Sequence, residues 1–300
     1  MPVSPLPGNI TVECVLLRRH AMGVHAFHAL LFSAVLALPL AASQAQPWGF
    51  CGGNGNYSAN SSYQSNLRQI SREITSNAST SPSLFAAGSV GADPDKVYAL
   101  AYCLSDSNAS ACATCVATAF QDAQQMCPYN KEVMISDDLC YLFFSNVNFL
   151  ASTENTGLIL AYNADNITGD VGRYNRAVKR LLNETAEGAV NSPRLFMRGA
   201  VPFDDPKYPN IYSMAQCTPE PDLSRADCRR CLDDLIGQWW QTFIPNTRGA
   251  RIIGTRCTMR AEMYSFSSGM VLLPPEAAGP APTPALAPPA VLGNSEERVT

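Results

Sequence analysis

The residues of this chain best supplied for chemistry are its cysteines, 11 in all. Leaving aside Cys14, they contain two copies of one pattern: Cys103-x8-Cys112-x2-Cys115 and Cys217-x10-Cys228-x2-Cys231, each followed downstream by one more, Cys140 and Cys257. A Cys-x2-Cys pair admits three chemistries. A structural zinc site needs four ligands in a tetrahedral array, but neither unit has a second such pair, and all three histidines, His20, His25 and His28, stand near the N-terminus. A redox dithiol would be Cys112-Ala-Thr-Cys115 or Cys228-Arg-Arg-Cys231 at a helix start, where the helix dipole lowers the thiol pKa; no βαβ pattern surrounds either pair. The third chemistry is permanent cross-linking, and the residues favour it, with no metal and no cofactor called for. Free thiols would argue for the redox alternative.

Other catalytic equipment is sparse. Without histidine beyond position 28, the chain lacks the commonest general base at neutral pH. It has no Gly-x-Ser-x-Gly elbow and no phosphate-cradling glycine loop. The adjacent carboxylates Asp137/Asp138 and Asp204/Asp205 read as solvated loops. The chain therefore reads as a non-enzyme. A net charge of -4 without a basic run argues against nucleic acid and against anionic membranes as partners.

The elements that must position the cysteines repeat in order. In the first unit Tyr63, Leu67, Ile70 and Ile74 recur at helical spacing. Lys96 to Leu104 reads as a strand ending at Cys103. Ala111 to Gln125 reads as a helix carrying Cys112 and Cys115 in its first turn, and Val133 to Phe149 as strands through Cys140. In the second unit Val171, Tyr174, Val178, Leu181 and Leu182 mark a helix, and Ile211 to Cys217 a strand. Ser224 to Trp240 marks a second helix with Ser224 as cap and Asp227 at capping-box distance, and Arg251 to Phe266 the closing strands. Tyr212-Ser-Met-Ala-Gln-Cys217 echoes Tyr98-Ala-Leu-Ala-Tyr-Cys103. The fold class is α+β: two tandem disulfide-stapled domains, 48–155 and 156–271, each with two helices packed on an antiparallel sheet.

The flanks set the compartment. Arg18, Arg19 and His20 precede an apolar run from Ala29 to Leu40, and Ser43-Gln44-Ala45 provides a cleavage site, which predicts a signal peptide over residues 1–45. Met22 would begin a more ordinary signal peptide, making residues 1–21 an upstream extension. No other segment reaches the ~18 apolar residues of a membrane span. Cys14 leaves with the leader, so an even number of cysteines enters an oxidising compartment. Sequons at Asn56, Asn60, Asn77, Asn108, Asn166 and Asn183 fit a secreted glycoprotein. Residues 272–300 are Pro/Ala-rich and predict a disordered tail or stalk. Their lack of an apolar stretch argues against a lipid-anchor signal.

The doubled Cys-x8-Cys-x2-Cys pattern, Cys-Arg-Arg-Cys-Leu at 228–232 and Gly-Ala-Arg-Ile-Ile at 249–253 resemble the plant salt-stress-response/antifungal domain, also called the ginkbilobin-homologous domain. Tandem copies make up cysteine-rich repeat secretory proteins, plasmodesmata-located proteins and ectodomains of cysteine-rich receptor-like kinases. The resemblance covers about Trp48 to Val271. It implies the pairing Cys51–Cys127, Cys103–Cys112 and Cys115–Cys140, then Cys217–Cys228 and Cys231–Cys257. The partners of Cys51 and Cys127 in the second unit are expected near Phe196 to Val201 and at Ile244-Pro245-Asn246, where no cysteine stands. The x10 spacing implies that the loop from Thr218 to Asp227 bulges.

The resemblance also implies a mannose site: an Asn directly after the first cysteine, an Arg six residues before the last and a Glu five after it. Forked Arg donors and carboxylate acceptors suit vicinal hydroxyls. In the first unit those positions are Gly52, Met134 and Ser145. In the second Arg251 and Glu262 match, while the cysteine that would locate the Asn is missing. Arg251 and Glu262 equally suit a cross-strand ion pair. Trp239, Trp240 and Phe243 are expected to pack in the core and against the other domain, an exposed anchor for a protein partner being the alternative. The expected function is secreted, apoplastic, non-catalytic recognition in plant stress or defence signalling, with a cell-wall carbohydrate or a receptor ectodomain as partner. The alternatives are an antifungal mannose-binding protein and a truncated ectodomain of a cysteine-rich receptor-like kinase.

Overall fold

The computed structural model describes residues 47–266 and 270–273. The expected signal peptide, its cleavage site, Cys14 and all but the first two residues of the Pro/Ala-rich tail lie outside them. The first unit runs β1 (Trp48–Cys51), α1 (Ser62–Thr80), β2 (Phe85–Val90), β3 (Val97–Cys103), α2 (Ala109–Met126), β4 (Val133–Ser136) and β5 (Cys140–Ser145). The second runs β6 (Ile159–Tyr162), α3 (Val171–Asn191), β7 (Phe196–Pro202), β8 (Asn210–Cys217), α4 (Arg225–Thr242), β9 (Gly249–Ile253), β10 (Cys257–Glu262) and β11 (Val271–Leu272). The sheets have the orders β1-β4-β5-β3-β2 and β11-β7-β8-β10-β9-β6. All pairings are antiparallel except β11 on β7.

Local sequence accounts for the helices. In α1 the buried positions Tyr63, Leu67, Ile70, Ile74 and Ala78 fall on one stripe, and the Ser61 side chain accepts from the Gln64 N–H as N-cap. Asn108 caps α2 through Ala111 N–H, and Ser224 caps α4 through Asp227 N–H. Because α2 begins at Ala109, Cys112 lies in its first turn and Cys115 in the next, one turn later than the sequence suggests.

Strands β3, β4 and β5 of the first unit lack the alternation of a half-exposed sheet because both their faces are covered. One face puts Val97, Ala99, Ala101, Val133, Ile135, Leu142 and Phe144 beneath the helices. The other puts Leu100, Tyr102, Met134, Tyr141 and Phe143 into a second cluster with Ile159 and Ile253 of the second unit. The seam between the units is polar at its margins. Tyr102 Oη donates to Gly254 O (3.0 Å), Gln216 Nε2 to Cys103 O (2.9 Å) and Arg194 Nη1 to Ser105 O (2.5 Å), and Arg198 pairs with Asp106.

Among the described residues five disulfides are closed: Cys51–Cys127, Cys103–Cys112, Cys115–Cys140, Cys217–Cys228 and Cys231–Cys257. In each unit α2 or α4 is tied to one central strand behind it and to the next strand in the sheet. The loop after Cys217 holds a turn in which Asp222 and Leu223 both donate from their N–H groups to Pro219 O. That turn sends Leu223 into the core and Asp222 onto Arg256.

Four strands were absent from the sequence reading: β2, β6, β7 and β11. Phe-Ala-Ala-Gly-Ser-Val and Phe-Met-Arg-Gly-Ala-Val-Pro show no clean period, and a strand forms because β3 and β8 present paired backbone to them. The register of the repeat also corrects the alignment around the missing bridge. Tyr63 Oη donates to Lys131 O and Tyr174 Oη to Arg248 O. Gly52 N–H donates to Glu132 O and Asn163 N–H to Gly249 O. Cys51 therefore corresponds to Tyr162, far from Phe196–Val201. Cys127 N–H bonds Ala123 O at the end of α2, and Phe243 N–H bonds Trp239 O at the end of α4, so Cys127 corresponds to Phe243, just ahead of Ile244. The rings of Tyr162 and Phe243 lie 6.4 Å apart. An aromatic pair stands where the first unit has a disulfide.

Candidate functional site

The corrected register gives Asn163 the place of Gly52, directly after the position of the first cysteine. The second unit thus carries all three side-chain types of the implied sugar site, Asn163, Arg251 and Glu262. The sheet brings them to one face. On β9, Ala250 and Ile252 enter the helix-side core while Arg251 points away from it. Glu262 on β10 pairs across with Gly249, and Asn163 bonds Gly249 from the other side, so the three positions form one rung. Ala161, Arg251 and Arg260 form the next rung on the same face, with Tyr162, Ala250 and Ala261 between.

Arg251 and Glu262 do not form the cross-strand ion pair that their spacing allows. Arg260 Nε holds Glu262 Oε1 at 3.2 Å. Among the described residues Glu262 Oε2 is buried without a hydrogen-bond partner, over Gly249, where an added Cβ would stand 1.9 Å from it. Arg251 instead reaches the first unit. Its Nη1 lies 2.9 Å from Asp138 Oδ1, and its guanidinium lies 4.1 Å from the centre of the Trp48 ring. Asp138 also receives Arg260 Nη1 at 3.5 Å. One member of the Asp137/Asp138 pair, read from sequence as a solvated loop, is thus an inter-domain contact.

Burial dominates the electrostatics. Arg251 is 9% exposed and Glu262 5%. Burial pushes the Glu262 carboxyl above its usual range, against the pull of Arg260 and Arg251. Burial, aided by Arg260, lowers Arg251, against Asp138. The face holds a desolvated carboxylate and a desolvated guanidinium on separate rungs, with Asn163 half-exposed at the end of the first, its Oδ1 accepting from Asp165 N–H (3.0 Å). Such a set can accept and donate hydrogen bonds to hydroxyls. Among the described residues no group of His, Cys, Asp or Glu could hold a metal ion.

The first unit offers no counterpart. Met134 is buried, and Ser145 accepts from Asn54 Nδ2. Sequence reasoning missed Asn163, Asp138, Arg260 and Trp48. Aligning the repeats on Tyr63 and Tyr174, 111 residues apart, was the signal that would have found Asn163. Trp239 enters the core of the second unit, edge-on to Phe243, and Trp240 packs on that same core.

The sequons differ in surroundings. Asn56, Asn60, Asn77, Asn108 and Asn166 are exposed. Asn183 is half-buried inside α3, its Nδ2 donates to Lys179 O (2.7 Å), and Thr185 of its sequon is fully buried.

The profile of the salt stress response/antifungal family matches residues 50–147 and 162–264. A cysteine-rich receptor-like protein kinase of Oryza sativa subsp. japonica, number 10, is 40% identical over 270 residues, covering 88% of this chain and 40% of its own length. The chain thus spans about two fifths of such kinases. An antimicrobial ginkbilobin-2-like protein of Castanea crenata is 31% identical, covering 72% of this chain and 87% of its own. The tandem DUF26 ectodomain of the Arabidopsis thaliana cysteine-rich receptor-like protein PDLP8 superposes with a TM-score of 0.58 at 20% identity, covering 72% of this chain and 96% of that one. Among the described residues no helix is long and apolar enough to cross a membrane.

Proposed function

The chain belongs to the salt stress response/antifungal family, and from that we propose that it is a non-catalytic recognition protein of the plant cell exterior, contacting a carbohydrate through Asn163, Arg251 and Glu262. The observation that carries this reading is the one sheet face on which two same-side rungs hold an amide, a guanidinium and a buried carboxylate whose Oε2 has no hydrogen-bond partner among the described residues. A sugar hydroxyl would supply that partner. Trp48 lies over Arg251, so a ligand must move the ring aside to reach the guanidinium. Display on a mannose-bearing glycan array tests the reading. Arg251→Ala and Glu262→Gln should each weaken binding about tenfold or more, the loss expected for a charge-assisted hydrogen bond. Trp48→Ala should strengthen it. Equal binding by all variants, or none by wild type and Trp48→Ala alike, ends the proposal.

A second reading, contact with a partner as a receptor-like ectodomain, is favoured by the 40% identity to the receptor-like kinase over 88% of this chain. An antifungal role is favoured by the ginkbilobin-2-like relative. Glycosylation is part of the proposal. Asn108 caps α2 with its Oδ1, which leaves Nδ2 for a glycan, whereas Asn183 has its amide engaged and its threonine buried. Enzymatic deglycosylation in heavy-oxygen water, followed by peptide mapping, should convert asparagine to labelled aspartate at exposed sequons and leave Asn183 unlabelled. A fully labelled Asn183 contradicts this.

A further inference from the structure

The two units differ at one sheet edge. In the second, β11 lies parallel on the outer edge of β7, with Val271 opposite Gly199 and Leu272 opposite Ala200, and Leu273 N–H donates to Ala200 O (2.8 Å). Leu273 packs on the core in the space that Gly199 leaves open: a Cβ there would stand 3.0 Å from its Cδ1. The corresponding strand of the first unit is β2. Leu84 and Leu195, both at positive φ, accept from Cys103 N–H and Cys217 N–H respectively, which sets Gly88 against Gly199 and Ser89 against Ala200. β2 ends its sheet, and no described strand lies beyond it.

The chain itself explains the difference. Counted from Cys140 and Cys257, the residue equivalent to Leu273 is Thr156. Thr156 O accepts from Thr255 N–H (3.3 Å), and Asn155 Oδ1 accepts from Arg256 N–H (2.7 Å). The segment that would return to cover β2 is fastened to the second unit instead. Among the described residues no strand covers this edge, and its own sequence lacks two common protections. Phe-Ala-Ala-Gly-Ser-Val carries no charge and no proline. Ala87 and Ser89 are exposed, and their N–H and C=O groups face away from β3, because the ladder register pairs Ala86 and Gly88 inward.

We propose that the outer edge of β2 is a docking site for an extended, uncharged apolar segment of a partner polypeptide, which pairs in parallel with Ala87 and Ser89 and seats an apolar side chain over Gly88. Main-chain hydrogen bonds supply the affinity and the space over Gly88 supplies the selection. The chemistry of the occupant is the one this chain places on its own equivalent edge, Val271-Leu-Leu273. The proposal does not depend on the sugar reading.

The probe is a labelled synthetic peptide of residues 270–275, Met-Val-Leu-Leu-Pro-Pro, titrated into the intact protein. Binding should slow amide exchange at Ala87 and Ser89. Two variants separate the contacts. Gly88→Ala narrows the seat, and folding tolerates it because an added Cβ meets only Ile70 Cδ1 and Ile74 Cδ1 at 3.9 and 4.0 Å. Ala87→Pro removes an outward donor and leaves the ladder to β3 intact. Each should weaken the peptide about tenfold, and a peptide with aspartate in place of both leucines should not bind. Absence of binding by the parent peptide, protection at Ala200 instead of Ser89, or unchanged binding by both variants would overturn the proposal.

Discussion

Arg256→Ala should lower the free energy of unfolding by about 3–5 kcal/mol, the loss typical of breaking a buried ion pair from one side. Arg256 is 1% exposed. Its Nη1 lies 2.6 and 2.8 Å from the two oxygens of Asp222, and its Nη2 donates to Phe149 O and Ser152 O at 3.1 and 2.7 Å. One guanidinium thus ties the loop after Cys217 to the segment leaving the first unit. Alanine strands a nearly buried carboxylate and two carbonyls. At roughly 2–4 °C per kcal/mol for a protein of this size, the melting temperature should fall by about 10 °C. Replacing both partners, as Asp222→Leu with Arg256→Met, should recover part of the loss, because no lone buried charge remains. A melting temperature for Arg256→Ala within 2 °C of wild type, an order-of-magnitude margin on the same scale, refutes the assignment.

The second large effect is expected from Cys51→Ala with Cys127→Ala. This bridge spans 76 residues and ties β1 to the end of α2. Restricting a loop of that length in the unfolded chain stabilises the fold by about 4 kcal/mol in the chain-entropy account. The loss should fall on the first unit. The second closes the same position with Tyr162 against Phe243, through ring contact alone. Hydrogen exchange by mass spectrometry resolves the two: β1, α1 and α2 should lose protection while α3 and α4 keep theirs. Equal loss in both units would mean that they unfold as one body across the seam, and an unchanged first unit would mean that the bridge adds nothing.

The α+β layout was legible because its signals are local. Tyr63, Leu67, Ile70 and Ile74 mark a helix by their spacing, and Ser224 marks a helix start by its own hydroxyl. The family was legible for a related reason, since a repeated cysteine spacing is a pattern in the chain itself. β2 and β7 were illegible because a strand of small residues forms through its neighbour's backbone. Asp138 looked like a solvated charge because nothing in its own segment points to Arg251, 113 residues away.

By itself, then, the sequence determined which residues make helices and that two like units follow one another. The tertiary structure alone decided that Tyr162 and Phe243 meet where a bridge would be, that the first unit caps Arg251, and that β2 ends its sheet with no described strand beyond it. The division has one physical cause. Helix periodicity and capping act over a few residues, whereas strand register, burial and ion pairing depend on which distant segment arrives alongside.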